Sequence, residues 1–172
     1  RQFGDPQEQL LRKQRDDDVS TVSILNSTYK TPESKPDDMN FMRLTGWHTD
    51  DSYMMKPAKA TMLQSPEIPN SGGQTGFSNS RKAYDDLPDD VKARCDGLQA
   101  VHSYDTKRAP ATASSLSKVE TNETPDVIHP LIRTNDDSGK KAIYVNMNRT
   151  DQIVGMERAE SDELLDYLVE RM

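Results

Sequence analysis

Hydrophobic positions in the middle of the chain repeat with the period of a helix. Val91, Cys95 and Leu98 are spaced i, i+4 and i+7, so a helix would carry them on one face. Pro88 suits the first turn of that helix, because its missing N–H would have no helical partner there. The pattern predicts a helix that begins at Pro88 and another over 80–86 before it. Cys95 is then a small core residue rather than a nucleophile.

A second apolar face marks the end of the sequence. Ser161 is a favoured N-cap residue, and the acidic Asp162 and Glu163 follow it at the positive end of the helix dipole. The apolar positions of this predicted helix are Leu164, Leu165, Leu168, Val169 and Met172. We expect this face to pack against a core.

Runs of β-branched or alternating residues predict the strands. They occupy 19–25, 58–64, 74–77, 127–133 and 142–146. The last two runs flank a turn sequence over 135–139 and are predicted to form a hairpin. Two polar stretches have no core pattern: a loop over 26–40 and a Ser/Thr/Ala-rich segment over 111–124, which we expect to be a mobile insertion.

Composition narrows the class of protein. A chain of 172 residues fits one domain, so 1–172 is predicted to be a single domain. Only 33% of the residues are hydrophobic, which is low for a self-sufficient core. This composition fits either a domain that is incomplete at its C-terminal end or a chain with disordered loops.

The charge, the cysteine content and the apolar runs argue against nucleic-acid binding, internal disulfides and membrane association. The net charge is −7 without a basic stripe, which argues against nucleic-acid binding. Cys95 is the sole cysteine, so the chain cannot form an internal disulfide, and a reducing, cytoplasmic location is expected. No apolar run approaches the roughly 20 residues that span a bilayer, so no membrane association is expected.

His48 and Asp50 are the first candidates for chemistry. In an extended strand, side chains at i and i+2 project from one face, so this imidazole and this carboxylate would point the same way while Trp47 packs in the core. One imidazole and one carboxylate are two-thirds of the facial triad that holds non-haem Fe(II) with open positions. The spacing alone leaves another interpretation open, a surface strand end whose Asp50 caps the next turn.

The sequence around this pair carries a longer series of motifs. They are Gly46-Trp47-His48-Thr49-Asp50-Asp51-Ser52-Tyr53, Gly72-Gly73-Gln74-Thr75, His129-Pro130-Leu131-Ile132-Arg133 and Ala142-Ile143-Tyr144-Val145-Asn146. Their order and spacing resemble the taurine dioxygenase and 2,4-dichlorophenoxyacetate dioxygenase family of Fe(II)/2-oxoglutarate-dependent oxygenases. The resemblance runs from about Gly46 to the end of the sequence.

This resemblance implies a fold and a set of site residues. The fold is mainly β with flanking helices, a double-stranded β-helix (jelly-roll). His48 and Asp50 are implied as ligands of Fe(II), and Thr75 as the residue that binds the distal carboxylate of the cosubstrate 2-oxoglutarate. The family's second iron-binding histidine and its 2-oxoglutarate-binding arginine are expected beyond Met172. We also expect a homo-oligomer.

Other polar residues are weaker candidates. His102 and His129 are expected to be hydrogen-bonded structural residues rather than the third ligand. Arg43, Lys107 and Arg108 could hold an anionic substrate, or could be solvated surface charges. The sequence does not decide between these two roles for the three cations.

The resemblance implies a dioxygenase that uses O2. It would hydroxylate a small anionic organic substrate (a sulfonate, sulfate ester, phosphonate or aryloxy acid) and release succinate and CO2. Two alternatives stay open. One is a non-catalytic jelly-roll that binds a ligand without turnover, and the other is a hydrolase with zinc in the same site.

Overall fold

The computed structural model of the chain describes residues 4–24, 47–68, 70–71, 75–108 and 116–172. These residues belong to two compact units, one comprising 1–46 and 115–123 and the other 47–114 and 124–172. The predicted loop over 26–40, the candidate Arg43 and the Gly72-Gly73 pair lie outside the described residues. The single domain over 1–172 stays a prediction.

Four helices and five strands form the described structure, together with a 3₁₀ turn at Arg12–Gln14. The helices are α1 (Ser80–Asp85), α2 (Asp89–Cys95), α3 (Lys118–Glu123) and α4 (Arg158–Arg171). The strands are β1 (Gln99–His102), β2 (Val127–Pro130), β3 (Ile132–Thr134), β4 (Lys141–Ile143) and β5 (Thr150–Ile153). Within the described part of the chain, none of the helices has both the length and the apolar character needed to cross a membrane.

The first unit is organised by the carboxylate of Glu120. It accepts hydrogen bonds from the backbone N–H of Ser117 (2.7 Å) and of Arg12 (2.9 Å), while the Ser117 hydroxyl accepts from the Glu120 N–H at 3.3 Å. This reciprocal pair is a capping box at the start of α3. These hydrogen bonds, those from Ser117 first, lower the pKa of Glu120 to about 2. The Arg12 guanidinium also bonds both carboxylate oxygens of Glu123, at 2.6 and 2.8 Å.

The second unit contains two antiparallel sheets. One has the strand order β2-β1-β5, and the other is the β3–β4 hairpin that the sequence predicts. Leu131 connects the two sheets: its N–H donates to the Leu98 carbonyl and its own carbonyl accepts from the Tyr144 N–H, each at 2.9 Å. The predicted strand over 127–133 is therefore divided at a fully buried leucine.

Helices α1 and α2 confirm the two helices predicted around Pro88, but Pro88 is the N-cap of α2, and Leu98 lies beyond its last residue, Cys95. Cys95 is fully buried, and Val91 and Leu98 pack against the core beside it. Burial raises the pKa of the Cys95 thiol, which agrees with a core residue rather than a nucleophile. Gly97 has a φ of +73°, a conformation that glycine adopts without steric cost, directly after this helix.

Helix α4 buries the predicted apolar face but begins earlier than predicted. Leu164, Leu165 and Leu168 are buried. The N-cap position belongs to Glu157, so the predicted cap at Ser161 is wrong. The Ser161 hydroxyl instead accepts a hydrogen bond from the Ile153 N–H at 2.8 Å, which joins the first turn of α4 to β5. The prediction failed because the Ser161 hydroxyl accepts its hydrogen bond from a neighbouring strand and not from the N-terminal turn of its own helix.

Three predicted strands are not formed in the described residues. Residues 19–24 contain a turn and a single bridge from Ser23 to Arg15, and 58–64 and 75–77 carry no strand. β-Propensity measures how well a residue fits a sheet, and it does not supply a partner strand. Part of the expected insertion over 111–124 is helix α3, while 109–115 lie outside the described residues.

Candidate functional site

His48 and Asp50 lie together at the start of the second unit. His48 Nε2 is 3.6 Å from Asp50 Oδ1, and the two side chains are 34% and 48% exposed. Residues 47–50 belong to no strand, so strand alternation is not what brings the two groups together. A turn over 50–53 begins at Asp50.

That turn has an unusual backbone. Asp51 has a φ of +56°, in the left-handed region, which Asp and Asn enter more readily than other residues with a side chain. The Tyr53 hydroxyl donates to Asp51 Oδ1 at 3.1 Å, and Met54 N–H donates to the Asp51 carbonyl at 2.9 Å. Burial raises the pKa of the Asp51 carboxyl, and Ser52 is fully buried. The turn therefore faces inward while the two candidate ligands face outward.

Trp47 connects this pair to the segment that carries Thr75. The rim of its indole lies next to Gly76: a Cβ added there would stand 3.6 Å from Trp47 Cη2 and Cζ3. Trp47 is 42% exposed, so its predicted core position is wrong. The physical reason is that 47–50 is not a strand, so the opposite face from His48 is not a core face. Thr75 is also exposed, beside the residue that Trp47 contacts.

The donor set fits part of a metal site. Two ligands at adjacent corners of an octahedron with bonds of about 2.1 Å lie about 3 Å apart, close to the separation of His48 Nε2 and Asp50 Oδ1. Imidazole and carboxylate are the ligand types of the facial triad. Among the described residues, however, no group of three or more His, Cys, Asp or Glu could hold a metal ion. The pair has the donor types of two of the three ligands in such a triad.

The other two histidines lie in the core. His102 is fully buried, stacks on Tyr144 with ring centroids 5.5 Å apart, and leaves Nδ1 without a hydrogen-bond partner. Its Nε2 is 3.5 Å from the Thr150 hydroxyl. His129 Nε2 is 3.0 Å from the Met54 carbonyl oxygen, and its ring meets His102 edge-on. These contacts fit the structural role predicted for both.

The burial of His102 predicts that the stability of the protein depends on pH. Desolvation, with a smaller effect of His129, lowers the pKa of His102 from 6.5 to about 4. The shift corresponds to about 3 kcal/mol in favour of the neutral form. Between pH 6.5 and about pH 4 the unfolded state binds more protons at His102 than the folded state does. The free energy of unfolding therefore falls as the pH falls through this range. We expect urea unfolding to show this loss in the wild type and a smaller loss in His102→Gln. Equal pH dependence in both proteins would contradict it.

The predicted cations have different environments. Arg108, 13% exposed, bonds Asp162 at 2.6 Å and also pairs with Asp166, so its charge is matched within the fold. Lys107 is exposed, and its backbone N–H donates to Asp151. Lys107 therefore fits the surface-charge interpretation, whereas Arg108 is a mostly buried ion-pair residue, which neither interpretation predicted.

Arg149 is a cation that the sequence analysis missed. Its guanidinium carbon lies 4.0 Å from the centroid of the Tyr104 ring and 5.4 Å from that of Tyr53, and it also donates to the Tyr104 carbonyl. The two tyrosine rings meet edge-on at 5.1 Å. Of the residues that the structure describes, no Asp or Glu pairs with Arg149. A cation stacked on Tyr53 therefore belongs to the surroundings of the His48–Asp50 turn.

Asn146 was missed as a functional candidate as well. Its buried side-chain amide donates to the Thr49 carbonyl at 2.9 Å and to the Ser52 hydroxyl at 3.2 Å. A polar residue at the end of the predicted strand over 142–146 was the available signal. Its partners could not be identified from sequence spacing, because they lie more than 90 positions away.

Comparison with known proteins agrees with these motifs. Residues 1–171 match the family model described as "Taurine catabolism dioxygenase TauD, TfdA family". The (S)-phenoxypropionate/alpha-ketoglutarate-dioxygenase of Sphingobium herbicidovorans is 35% identical over 151 residues, which cover 80% of this chain and 50% of that protein. The alpha-ketoglutarate-dependent sulfonate dioxygenase of Saccharomyces cerevisiae is 31% identical over 147 residues, covering 84% and 35%.

Solved structures are similar too. A taurine dioxygenase from Burkholderia xenovorans superposes with a TM-score of 0.56 at 29% identity, over 74% of this chain and 41% of that one. AAD-2, solved in complex with Mn(II) and N-oxalylglycine, gives a TM-score of 0.60 at 29% identity, over 73% and 49%. The chain spans about half the length, or less, of the curated relatives it matches.

Proposed function

Since the chain belongs to the Taurine catabolism dioxygenase TauD, TfdA family, we propose that the whole protein is an Fe(II)/2-oxoglutarate-dependent dioxygenase. The observation that carries the proposal is the 3.6 Å approach of His48 Nε2 to Asp50 Oδ1, both partly exposed. Those are two of the ligands that the facial triad needs.

Each residue has a distinct role in this proposal. Bound Fe(II) supplies the oxidising chemistry, in which 2-oxoglutarate loses CO2 to become succinate and one O2 oxygen enters the substrate. His48 would hold the metal ion through its imidazole and Asp50 through its carboxylate. The Thr75 hydroxyl donates to the distal carboxylate of 2-oxoglutarate. The third ligand comes from residues outside those described.

The proposed substrate is a small organic anion. The named relatives act on a phenoxypropionate or a sulfonate. Arg149 supports an anionic substrate here, because it is a cation beside Tyr53 that no described carboxylate neutralises. Tyr53, which is half-buried, is the aromatic neighbour of Arg149 that we propose for the organic part of such a molecule.

The fold of the whole protein, its location, its oligomeric state and its partners are also proposals or predictions. A complete jelly-roll is the proposed fold of the whole protein, supported by TM-scores of 0.56 and 0.60 to family structures. Cytoplasmic location, homo-oligomer formation and the lack of nucleic-acid or membrane partners stay predictions from the sequence.

Succinate release from the full-length gene product tests the function. We expect purified protein to convert 2-oxoglutarate to succinate with Fe(II) and O2, faster in the presence of an accepted sulfonate, sulfate ester or aryloxy acid. Zn(II) in place of Fe(II), and exclusion of O2, are the controls. No succinate under any of these substrate conditions, from protein that binds Fe(II), would favour the non-catalytic alternative.

Thr75 gives a separate prediction about the cosubstrate. A hydrogen bond to a charged group contributes about 1.5–3 kcal/mol, so Thr75→Val should raise the KM for 2-oxoglutarate by roughly 10- to 100-fold. Thr75→Ser keeps the hydroxyl and should retain most of the affinity. Steady-state kinetics with varied 2-oxoglutarate measure both. An unchanged KM in Thr75→Val would remove Thr75 from the site.

A further inference from the structure

The side chain of Asn146 is bonded to the segment that carries the candidate ligands. Its Nδ2 donates to the carbonyl of Thr49, which lies between His48 and Asp50, and to the hydroxyl of Ser52. Asn146 is 2% exposed and Ser52 is fully buried. The side-chain NH2 group of Asn146 therefore makes both of its hydrogen bonds to the segment 49–52.

The surroundings of Asn146 fix the orientation of its amide. Oδ1 accepts from the Asn148 N–H at 3.0 Å. A flipped amide would place its NH2 against that donor and its oxygen against the Thr49 carbonyl, so one orientation alone satisfies the contacts. The Asn146 backbone N–H donates to the Thr150 hydroxyl at 2.9 Å, and its carbonyl accepts from the N–H groups of Arg149 and Thr150. Asn146 is therefore held in a turn that leads into β5.

The His48–Asp50 segment needs support from outside. It belongs to no strand, so sheet pairing does not hold its backbone. Asp51, the residue after the pair, is in the left-handed region. The two hydrogen bonds from the Asn146 amide hold the backbone and the buried hydroxyl on either side of it.

We infer that Asn146 is a positioning residue for the metal ligands of the proposed site. Its amide holds the Thr49 carbonyl and Ser52, and thereby keeps His48 and Asp50 directed at one point. The inference rests on the proposed function, because it concerns how that site is held before metal binds.

The test compares two variants of the full-length gene product. Asn146→Asp keeps the shape and the acceptor for Asn148 but places an oxygen against the Thr49 carbonyl. Ser161→Ala is the matched control, because it removes another buried hydrogen bond, to the Ile153 N–H, far along the sequence from the motif. The measurements are Fe(II) affinity by anaerobic equilibrium dialysis and hydrogen–deuterium exchange of the peptide covering 47–53 without metal.

We expect Asn146→Asp to weaken Fe(II) binding by about 10- to 100-fold, as loss of a group that orients ligands does. Exchange over 47–53 should become faster in the same variant. Ser161→Ala should reduce resistance to urea while leaving both readouts at wild-type values.

Two results would overturn the inference alone: wild-type Fe(II) affinity in Asn146→Asp, or an equal loss of affinity in Ser161→Ala. A wild-type protein that binds no Fe(II) would overturn the proposed function and this inference with it.

Discussion

Replacement of His48 by alanine is expected to abolish succinate formation. The variant removes the imidazole whose Nε2 lies 3.6 Å from Asp50 Oδ1, and this imidazole is one of the two proposed metal ligands. Its effect on Fe(II) affinity should exceed the roughly 10- to 100-fold loss expected from an orienting residue. Fe(II) content after anaerobic dialysis and succinate yield with 2-oxoglutarate measure the two consequences separately.

Folding should not explain the loss in His48→Ala. The His48 side chain is 34% exposed, and substitutions at such sites usually change stability by no more than about 0.5 kcal/mol. Urea unfolding should therefore match the wild type. If His48→Ala still released succinate at the wild-type rate, the assignment of His48 as a ligand would be wrong.

A second histidine supplies the control. His129 is nearly buried and contacts the Met54 carbonyl oxygen through Nε2. Glutamine can donate to the same carbonyl, so His129→Gln should keep Fe(II) binding and most of the activity, with some loss of stability. This pair of variants separates a histidine that binds metal from one that supports the fold.

Local sequence signals predicted the helices of the second unit well. Pro88 and the spacing of Val91, Cys95 and Leu98 identified α2, because helix starts, stops and faces depend on residues a few positions apart. The capping box of Ser117 and Glu120 is an equally local signal that the interpretation of 111–124 as an insertion overlooked. The error at Ser161 has a different origin, since its hydroxyl bonds Ile153 outside the helix.

The strands were predicted less well for a physical reason. A strand exists only when another strand pairs with it, so the apolar run over 58–64 did not suffice. Met62 and Leu63 are 91% and 67% exposed, and the described residues provide no partner for them. The β3–β4 hairpin was predictable because its turn brings partners together within a dozen residues.

The candidate site was predictable through its motif and not through its geometry. His48 and Asp50 were identified as candidate ligands by type and spacing and stay a prediction, and the strand argument used for them does not hold in the structure. Arg149 and Asn146 were not identified, because their contacts with Tyr53 and Thr49 join residues far apart in the sequence. Motif spacing identifies candidate ligands, but it does not identify residues that contact their segment from distant parts of the chain.

Truncation of Leu165 to alanine is expected to have the largest effect on stability. Leu165 is fully buried in the face of α4 that packs on the core. A buried leucine truncated to alanine costs about 2–5 kcal/mol, because the lost contacts leave a cavity. Urea unfolding of the full-length gene product should give a lower free energy of unfolding by this amount.

Two further substitutions on α4 show whether burial is the cause. Leu165→Met nearly conserves volume and should cost less than about 1.5 kcal/mol. Glu163 is exposed on the same helix, so Glu163→Ala should change stability by no more than about 0.5 kcal/mol. Leu165→Ala should also retain wild-type Fe(II) affinity wherever it is folded, because Leu165 lies in the core and not at the His48–Asp50 pair. A cost in Leu165→Ala no larger than that in Glu163→Ala would mean that α4 does not pack on the core as described.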